Sequence, residues 1–177
     1  GVLAQSTLRN ARVDVAAGAT VNGGWQADIA GVGATTTRPS AGVMLRSATE
    51  SVLVNAGVIG AASDRAVADA GRYLAPLGHI RIQNTNTITG FVELAPVAAN
   101  SFTNANGGLF DVRHFADTDG NGVRDTKRVS ISNFGLPSSR FDNQLGALVR
   151  LATVTRAAAT DATAYYVPTT GGPGRAL

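Results

Sequence analysis

Ser101-Phe102-Thr103-Asn104-Ala105-Asn106-Gly107-Gly108-Leu109-Phe110-Asp111-Val112-Arg113 and Arg140-Phe141-Asp142-Asn143-Gln144-Leu145-Gly146-Ala147-Leu148-Val149-Arg150-Leu151 are two copies of one unit. Phe102 matches Phe141, Asn104 matches Asn143, Gly107 matches Gly146 and Leu109 matches Leu148, each at an offset of 39 residues. Matches that hold one spacing without an insertion mark a repeat architecture, and a repeat decides the fold before any other feature does.

The unit is an apolar residue, a spacer, an asparagine, a short polar stretch with glycine, and an alternating apolar run. Short alternating runs bounded by Asn and Gly suit strands between tight turns better than helices. Asparagine and glycine both accept the left-handed backbone that a sharp turn needs. Weaker copies precede the unit in Leu53-Val54-Asn55-Ala56-Gly57-Val58-Ile59 and Ile82-Gln83-Asn84-Thr85-Asn86-Thr87-Ile88. Asn84 and Asn104 are 20 residues apart, close to half of 39. The expected fold is therefore all-β, a right-handed parallel β-helix (β-solenoid) with a basic coil of about 20 residues, within the repeat range of such folds. Parallel stacking would set the asparagines of successive coils above one another, where their amides can bond in a ladder. The competing architecture is an antiparallel sandwich with ordinary Asn-Gly turns.

At 177 residues the chain is expected to form one solenoid segment over 1–177, cut from a longer chain. Coils of about 20 residues would give roughly eight turns and a rod near 35–40 Å at ~4.8 Å per strand. Few aromatics and much Ala, Gly, Val, Thr and Asn favour narrow strands and tight turns. The net charge of +3 comes from fourteen arginines and Lys127 against twelve acids. The arginines are scattered without a basic run, which argues against nucleic-acid binding and for a solvated face. No apolar run approaches the ~18 residues of a membrane span. The lack of cysteine fits a reducing cytosol and equally an exported protein that avoids disulfides.

Along the chain, Thr7-Leu8-Arg9-Asn10-Ala11-Arg12-Val13-Asp14-Val15 alternates as a first strand pair, with Leu8, Val13 and Val15 on its apolar side. Trp25 is expected in the core or at a coil cap, and 31–41 is a loop by composition. Two excursions are expected. Residues 61–77 are Ala-rich and closed by Pro76 and Gly78, which suggests a short helix between coils. Residues 157–170, with Tyr165 and Tyr166, break the repeat and suit a surface flap.

No nucleophile elbow, phosphate-binding loop or zinc-binding His pair is present. His79 and His114 are expected at the surface or at corners, and Glu50 and Glu93, the only glutamates, have no evident acid–base partner. Gly78-His79 and Arg81-Ile82 faintly echo polygalacturonase motifs, but at the wrong spacing. No catalytic residue is expected.

Ile88-Thr89-Gly90-Phe91-Val92-Glu93-Leu94, the Ser101-Phe102-Thr103-Asn104 unit, Phe110 to Thr126, and Thr160 to Pro168 together resemble the passenger domains of autotransporter adhesins of Gram-negative bacteria. The likeness covers roughly residues 50–177. It implies a secreted segment on the bacterial cell surface, outside the outer membrane, held by a C-terminal membrane barrel that this chain lacks. It also implies adhesion to a host or matrix protein or glycan, or to neighbouring cells, and no enzymatic activity, while the unpaired strand edges of an uncapped solenoid would invite end-to-end or lateral self-association. The alternatives are a polysaccharide-active β-helix enzyme and a fibre-forming structural spacer.

One stretch points to a metal. Asp117-Thr118-Asp119-Gly120-Asn121-Gly122-Val123-Arg124-Asp125 places oxygen ligands, a glycine and a carbonyl as the first three-quarters of an EF-hand loop does. Asp117, Asp119, Asn121, the Val123 carbonyl and Asp125 would be the Ca²⁺ ligands. The twelfth position departs from the pattern, since Arg128 stands where a bidentate glutamate belongs. The alternative is an Asp/Asn/Gly-rich turn that holds nothing specific. If the loop binds calcium, EDTA lowers the melting temperature; an unchanged melt together with no heat of calcium binding in calorimetry excludes it.

Overall fold

A computed structural model of the chain describes residues 1–24, 41–69, 78–94, 97–112, 115–116, 126–127, 131–150 and 165–166. Strands account for all the regular structure among them, with no helix. The first sheet takes β1 (Val2–Gln5), β4 (Val43–Arg46), β7 (Arg65–Asp69) and β10 (Phe91–Glu93) in that order. The second takes β2 (Ala11–Val15), β5 (Glu50–Asn55), β8 (His79–Asn84), β11 (Ser101–Asn104) and β16 (Arg140–Asn143). The third takes β3 (Thr20–Gly23), β6 (Val58–Ala61), β9 (Thr87–Thr89), β12 (Leu109–Asp111) and β17 (Leu148–Arg150). Every pairing within these three sheets is parallel. The antiparallel sandwich is thereby excluded, and the arrangement is compatible with a β-solenoid.

The chain visits the three sheets in rotation, first, second, third, and then returns to the first one strand further on. After β12 comes the antiparallel hairpin of β13 (Phe115–Ala116) and β14 (Thr126–Lys127). β15 (Ile131–Ser132) follows, and the next residue, Asn133, forms an isolated parallel bridge to Glu93 of β10. β18 (Tyr165–Tyr166) pairs in parallel with β15.

The 39-residue offset brings equivalent residues side by side, because Phe102 pairs with Phe141, Asn104 with Asn143 and Leu109 with Leu148. It is one circuit, however, and not two. β11 and β16 are neighbours, and the hairpin and its flanks fill the extra length. Circuit length varies: 29 residues separate Asn55 from Asn84, 20 separate Asn84 from Asn104, and 39 separate Asn104 from Asn143. Where eight coils are expected over the whole chain, the second sheet is five strands deep among the described residues, and its four spacings span roughly 19 Å at ~4.8 Å each.

Other expectations also change. Arg65–Asp69 is a strand and not part of a helix, while 70–77 lie outside the described residues. Leu8 precedes β2 and is 84% exposed, so it faces water instead of the core. β1 was not anticipated at all. Arg46 is buried, unlike the solvated arginines expected from composition. Trp25 and His114 lie outside the described residues, as do 157–170 apart from β18.

Period-two alternation sends every second side chain inward. The inward columns are Val43, Val67 and Val92 in the first sheet, Val13, Leu53, Ile82, Phe102 and Phe141 in the second, and Val21, Ile59, Ile88, Phe110 and Val149 in the third. They meet in one core. Toward its far end that core becomes aromatic: the Phe102 ring packs edge-on to Phe110 at 4.9 Å and to Phe141 at 5.2 Å.

A third column of the second sheet is polar and buried. Asn55 Nδ2 donates to Asn84 Oδ1 at 2.7 Å, Asn84 Nδ2 to Asn104 Oδ1 at 2.8 Å, and Asn104 Nδ2 to Asn143 Oδ1 at 2.8 Å. Asn55, Asn84 and Asn104 are wholly buried. The same amide nitrogens also donate to the carbonyls of Thr87, Leu109 and Leu148, which fixes the corner between the second and third sheets. Two corner forms occur. The long form carries Gly107 and Gly146 at φ +80° and +82°, and the N–H of Gly107 donates to the Gly146 carbonyl at 3.1 Å. In the short form a Cβ on Gly57 would run into the carbonyl oxygens of Ala16 and Ala19.

Replacing Asn84 with Ala strips partners from two other buried amides, each worth about 1–3 kcal/mol when left unsatisfied. The expected loss is about 3 kcal/mol, seen as a lower denaturant midpoint at an unchanged m-value. Gly57→Ala should destabilise as well, because the obstacle is backbone and not a yielding side chain.

Candidate functional site

Residues that point inward hold the stack together, so the side chains free to meet anything else are those that point outward. On the second sheet one outward column is Arg12, Val52, Arg81, Ser101 and Arg140, and the next is Asp14, Val54, Gln83, Thr103 and Asp142. Arginine recurs on every second rung, about 9.6 Å apart at ~4.8 Å per rung, and an uncharged residue lies between each pair. The three arginine side chains are more than half exposed. Val52, between Arg12 and Arg81, is buried, as expected where long arginine stems lie along an apolar neighbour.

Each arginine has an acid. Arg12 Nε and Nη2 donate to the two carboxylate oxygens of Asp14 at 2.7 and 2.6 Å. Arg140 stands 3.6 Å from Asp142. Glu50 takes Arg81 Nε at 3.5 Å and His79 Nε2 at 3.3 Å through the same oxygen, Oε1. The face is thus a zwitterionic lattice and not a basic patch. Hydrogen bonding from Arg12, more than its charge, pulls the Asp14 carboxyl below the ordinary carboxylate range, and the same bond raises the Arg12 guanidinium.

The outward face of the third sheet is different. Thr20, Val58, Thr87, Leu109 and Leu148 form one column, and Asn22, Gly60, Thr89, Asp111 and Arg150 the other. Val58 is 37% and Leu148 53% exposed. Arg150 Nη1 lies 3.5 Å from Asp111. On the first sheet Arg65 pairs with Glu93 at 2.7 Å and sits 5.5 Å from the centroid of the Phe91 ring. The two glutamates therefore lie on different sheets, each engaged by arginine.

His79 is at the surface, as expected, beside Glu50. The calcium ligands named from sequence, Asp117, Asp119, Asn121, Val123 and Asp125, lie outside the described residues. Among the described residues no group of three or more His, Asp or Glu is placed to hold a metal ion, and no helix is long and apolar enough to cross a membrane. The arginine column was missed from the sequence, although its signal is there in Arg12-Val13-Asp14, Arg81-Ile82-Gln83 and Arg140-Phe141-Asp142. Comparison with family models, curated proteins and solved structures finds no match.

A carboxylate whose pKa is lowered in the fold adds stability above its unfolded pKa and loses it as pH falls through the folded value. The Asp14 carboxyl should thus titrate by NMR below an ordinary aspartate, and Arg12→Ala should return it to the ordinary range. An unchanged midpoint in that variant would show that the ion pair is not formed in solution.

Proposed function

We propose that the chain is a segment of a right-handed parallel β-helix that serves as a structural and adhesive passenger on the bacterial cell surface. The observation that carries this reading is the regular rotation of parallel strands through three sheets, which leaves long outward faces whose chemistry is independent of the core. Right-handedness is supported by the strong preference of parallel crossover connections for that hand. The adhesive role draws support from the resemblance of residues 50–177 to autotransporter passengers. It also fits the second-sheet face, where arginine, carboxylate, amide and hydroxyl groups recur rung after rung. Such a surface binds by many weak contacts whose effects multiply along a rod. The partner is a host or matrix protein or glycan, and anchorage comes from a membrane barrel outside this chain. A resident calcium ion in the Asp117–Asp125 loop would belong to the same reading.

The test is retention on a coated surface. Immobilised protein should hold cells or matrix without turning anything over, and replacing Arg12, Arg81 and Arg140 together with Ala should cut retention by about threefold or more. Release of reducing ends from pectin-like polymers would instead identify a polysaccharide-active enzyme. Neither retention nor release would leave a spacer.

A further inference from the structure

Burial falls away over one rung at the far end of the stack. Phe102 is wholly buried, whereas Phe141 beside it is only partly so. Asn104 is wholly buried, whereas Asn143 is exposed. Leu145 is 97% exposed. Among the described residues, β16 and β17 are the last strands of their sheets.

The polar groups of this edge have a direction. The N–H groups of Arg140 and Gln144 donate back to the carbonyls of Asn100 and Asn104, and that of Leu148 donates to Gly108. In a parallel ladder alternate residues address opposite neighbours, so the backbone groups of Asn143 and Val149 face outward from the stack. The Asn143 side chain accepts from Asn104 and donates one hydrogen to the Ala147 carbonyl at 3.3 Å. An amide nitrogen carries two hydrogens, and among the described residues the second has no partner.

The outward columns restrict what can follow. In these two columns of the second sheet charge sits on the first, third and fifth rungs, and β5 and β11 carry Val52 and Val54, Ser101 and Thr103 at the equivalent positions. Like charges directly opposite one another destabilise a strand pair. A rung added to β16 in the same register is therefore disfavoured if it sets arginine or lysine opposite Arg140 or an acid opposite Asp142, and the alternation in these two columns puts uncharged residues there.

We infer that the β16–β17 edge is a strand-acceptor site for an extended strand–turn–strand segment of one pattern: uncharged, large apolar, uncharged, asparagine, then an apolar strand. Its apolar residue covers Phe141, its asparagine receives the second N–H of Asn143, and its backbone pairs with Asn143 and Val149. Ser101–Asn104 followed by Leu109–Asp111 has this pattern and already plays this part against β8 and β9. The chain's own first turn does not. Head-to-tail stacking of a second copy in register would set Arg12 against Arg140, Asp14 against Asp142 and Val15 over Asn143. The occupant is thus a further turn of the asparagine-bearing type, supplied from outside the described residues, and the expected end-to-end polymer of identical copies is opposed. This inference holds whatever the outward faces bind.

The probe is a labelled peptide with the sequence of residues 101–112, added to the whole chain and followed by fluorescence anisotropy and amide exchange. Binding should slow exchange at Asn143 and Val149 by about tenfold or more, and leave Gln144 and Leu148 unchanged, since these are already bonded. Leucine in place of Asn104 in the peptide, or of Asn143 in the protein, should weaken binding by about tenfold or more. A peptide of residues 11–23 should bind at least about tenfold more weakly. The inference is overturned if millimolar peptide leaves exchange at Asn143 and Val149 unaltered. It is equally overturned if the first-turn peptide binds as well, or if neither asparagine replacement matters.

Discussion

A primary amide buried in an apolar core costs several kcal/mol unless its donors and acceptor are met. Asn55, Asn84 and Asn104 are buried in that way, and each meets the demand through the asparagine on the next rung and a carbonyl at the corner. Only parallel strands in register can do this for a whole column. A slip of one residue would turn every asparagine out to water and push the outward residues, Gln83 and Thr103 among them, into the core. The ladder therefore fixes more than its own bonds. It sets the register of the second sheet and, through the carbonyls it takes from Thr87, Leu109 and Leu148, the angle at which the chain enters the third.

The ladder was legible in the sequence because asparagine spacing survives whatever lies between. The 39-residue match foretold the Phe102–Phe141, Asn104–Asn143 and Leu109–Leu148 neighbours, and the weaker copies at Asn55 and Asn84 fell into the same column. The size of a circuit was not legible. Backbone hydrogen bonds tie one rung to the next but place no limit on the chain that leaves a corner, since the entropic cost of a longer loop grows only slowly with length. A circuit of 20 residues and one of 39 thus close the same rung, so spacing alone does not tell one long circuit from two short ones. β1 escaped notice for a related reason. Val2-Leu3-Ala4-Gln5 has no asparagine column, and its strand exists because Val43 and Leu45 of β4 offer it an edge.

The outward face was even less legible, and the cause is the same variability. Arg12, Arg81 and Arg140 form a column only once circuits of different length have been closed, so along the sequence they look like scattered surface charge. Arg46 shows the opposite limit. Composition places arginine in water, yet its position in β4, flanked by Leu45 and Ser47, buries it. Single-residue tendencies are weak wherever a neighbouring rung or loop decides exposure.

Core and surface are separable in such a stack, and the separation has a physical limit. Inward columns accept any apolar residue that fills the space, as the series Val13, Leu53, Ile82, Phe102 and Phe141 shows, because each rung needs only to match its two neighbours. Outward columns appear unconstrained by packing, but strands lie only ~4.8 Å apart, so a charge on one rung acts on the next. The uncharged residues Val52 and Val54 of β5, and Ser101 and Thr103 of β11, keep the arginines of β2, β8 and β16 two spacings apart, and each of those arginines is matched by an acid on its own strand or the one beside it. Electrostatics thereby transmits register through the solvent face as the amide ladder does through the core. The order of rungs is consequently not interchangeable, even where their backbones are alike.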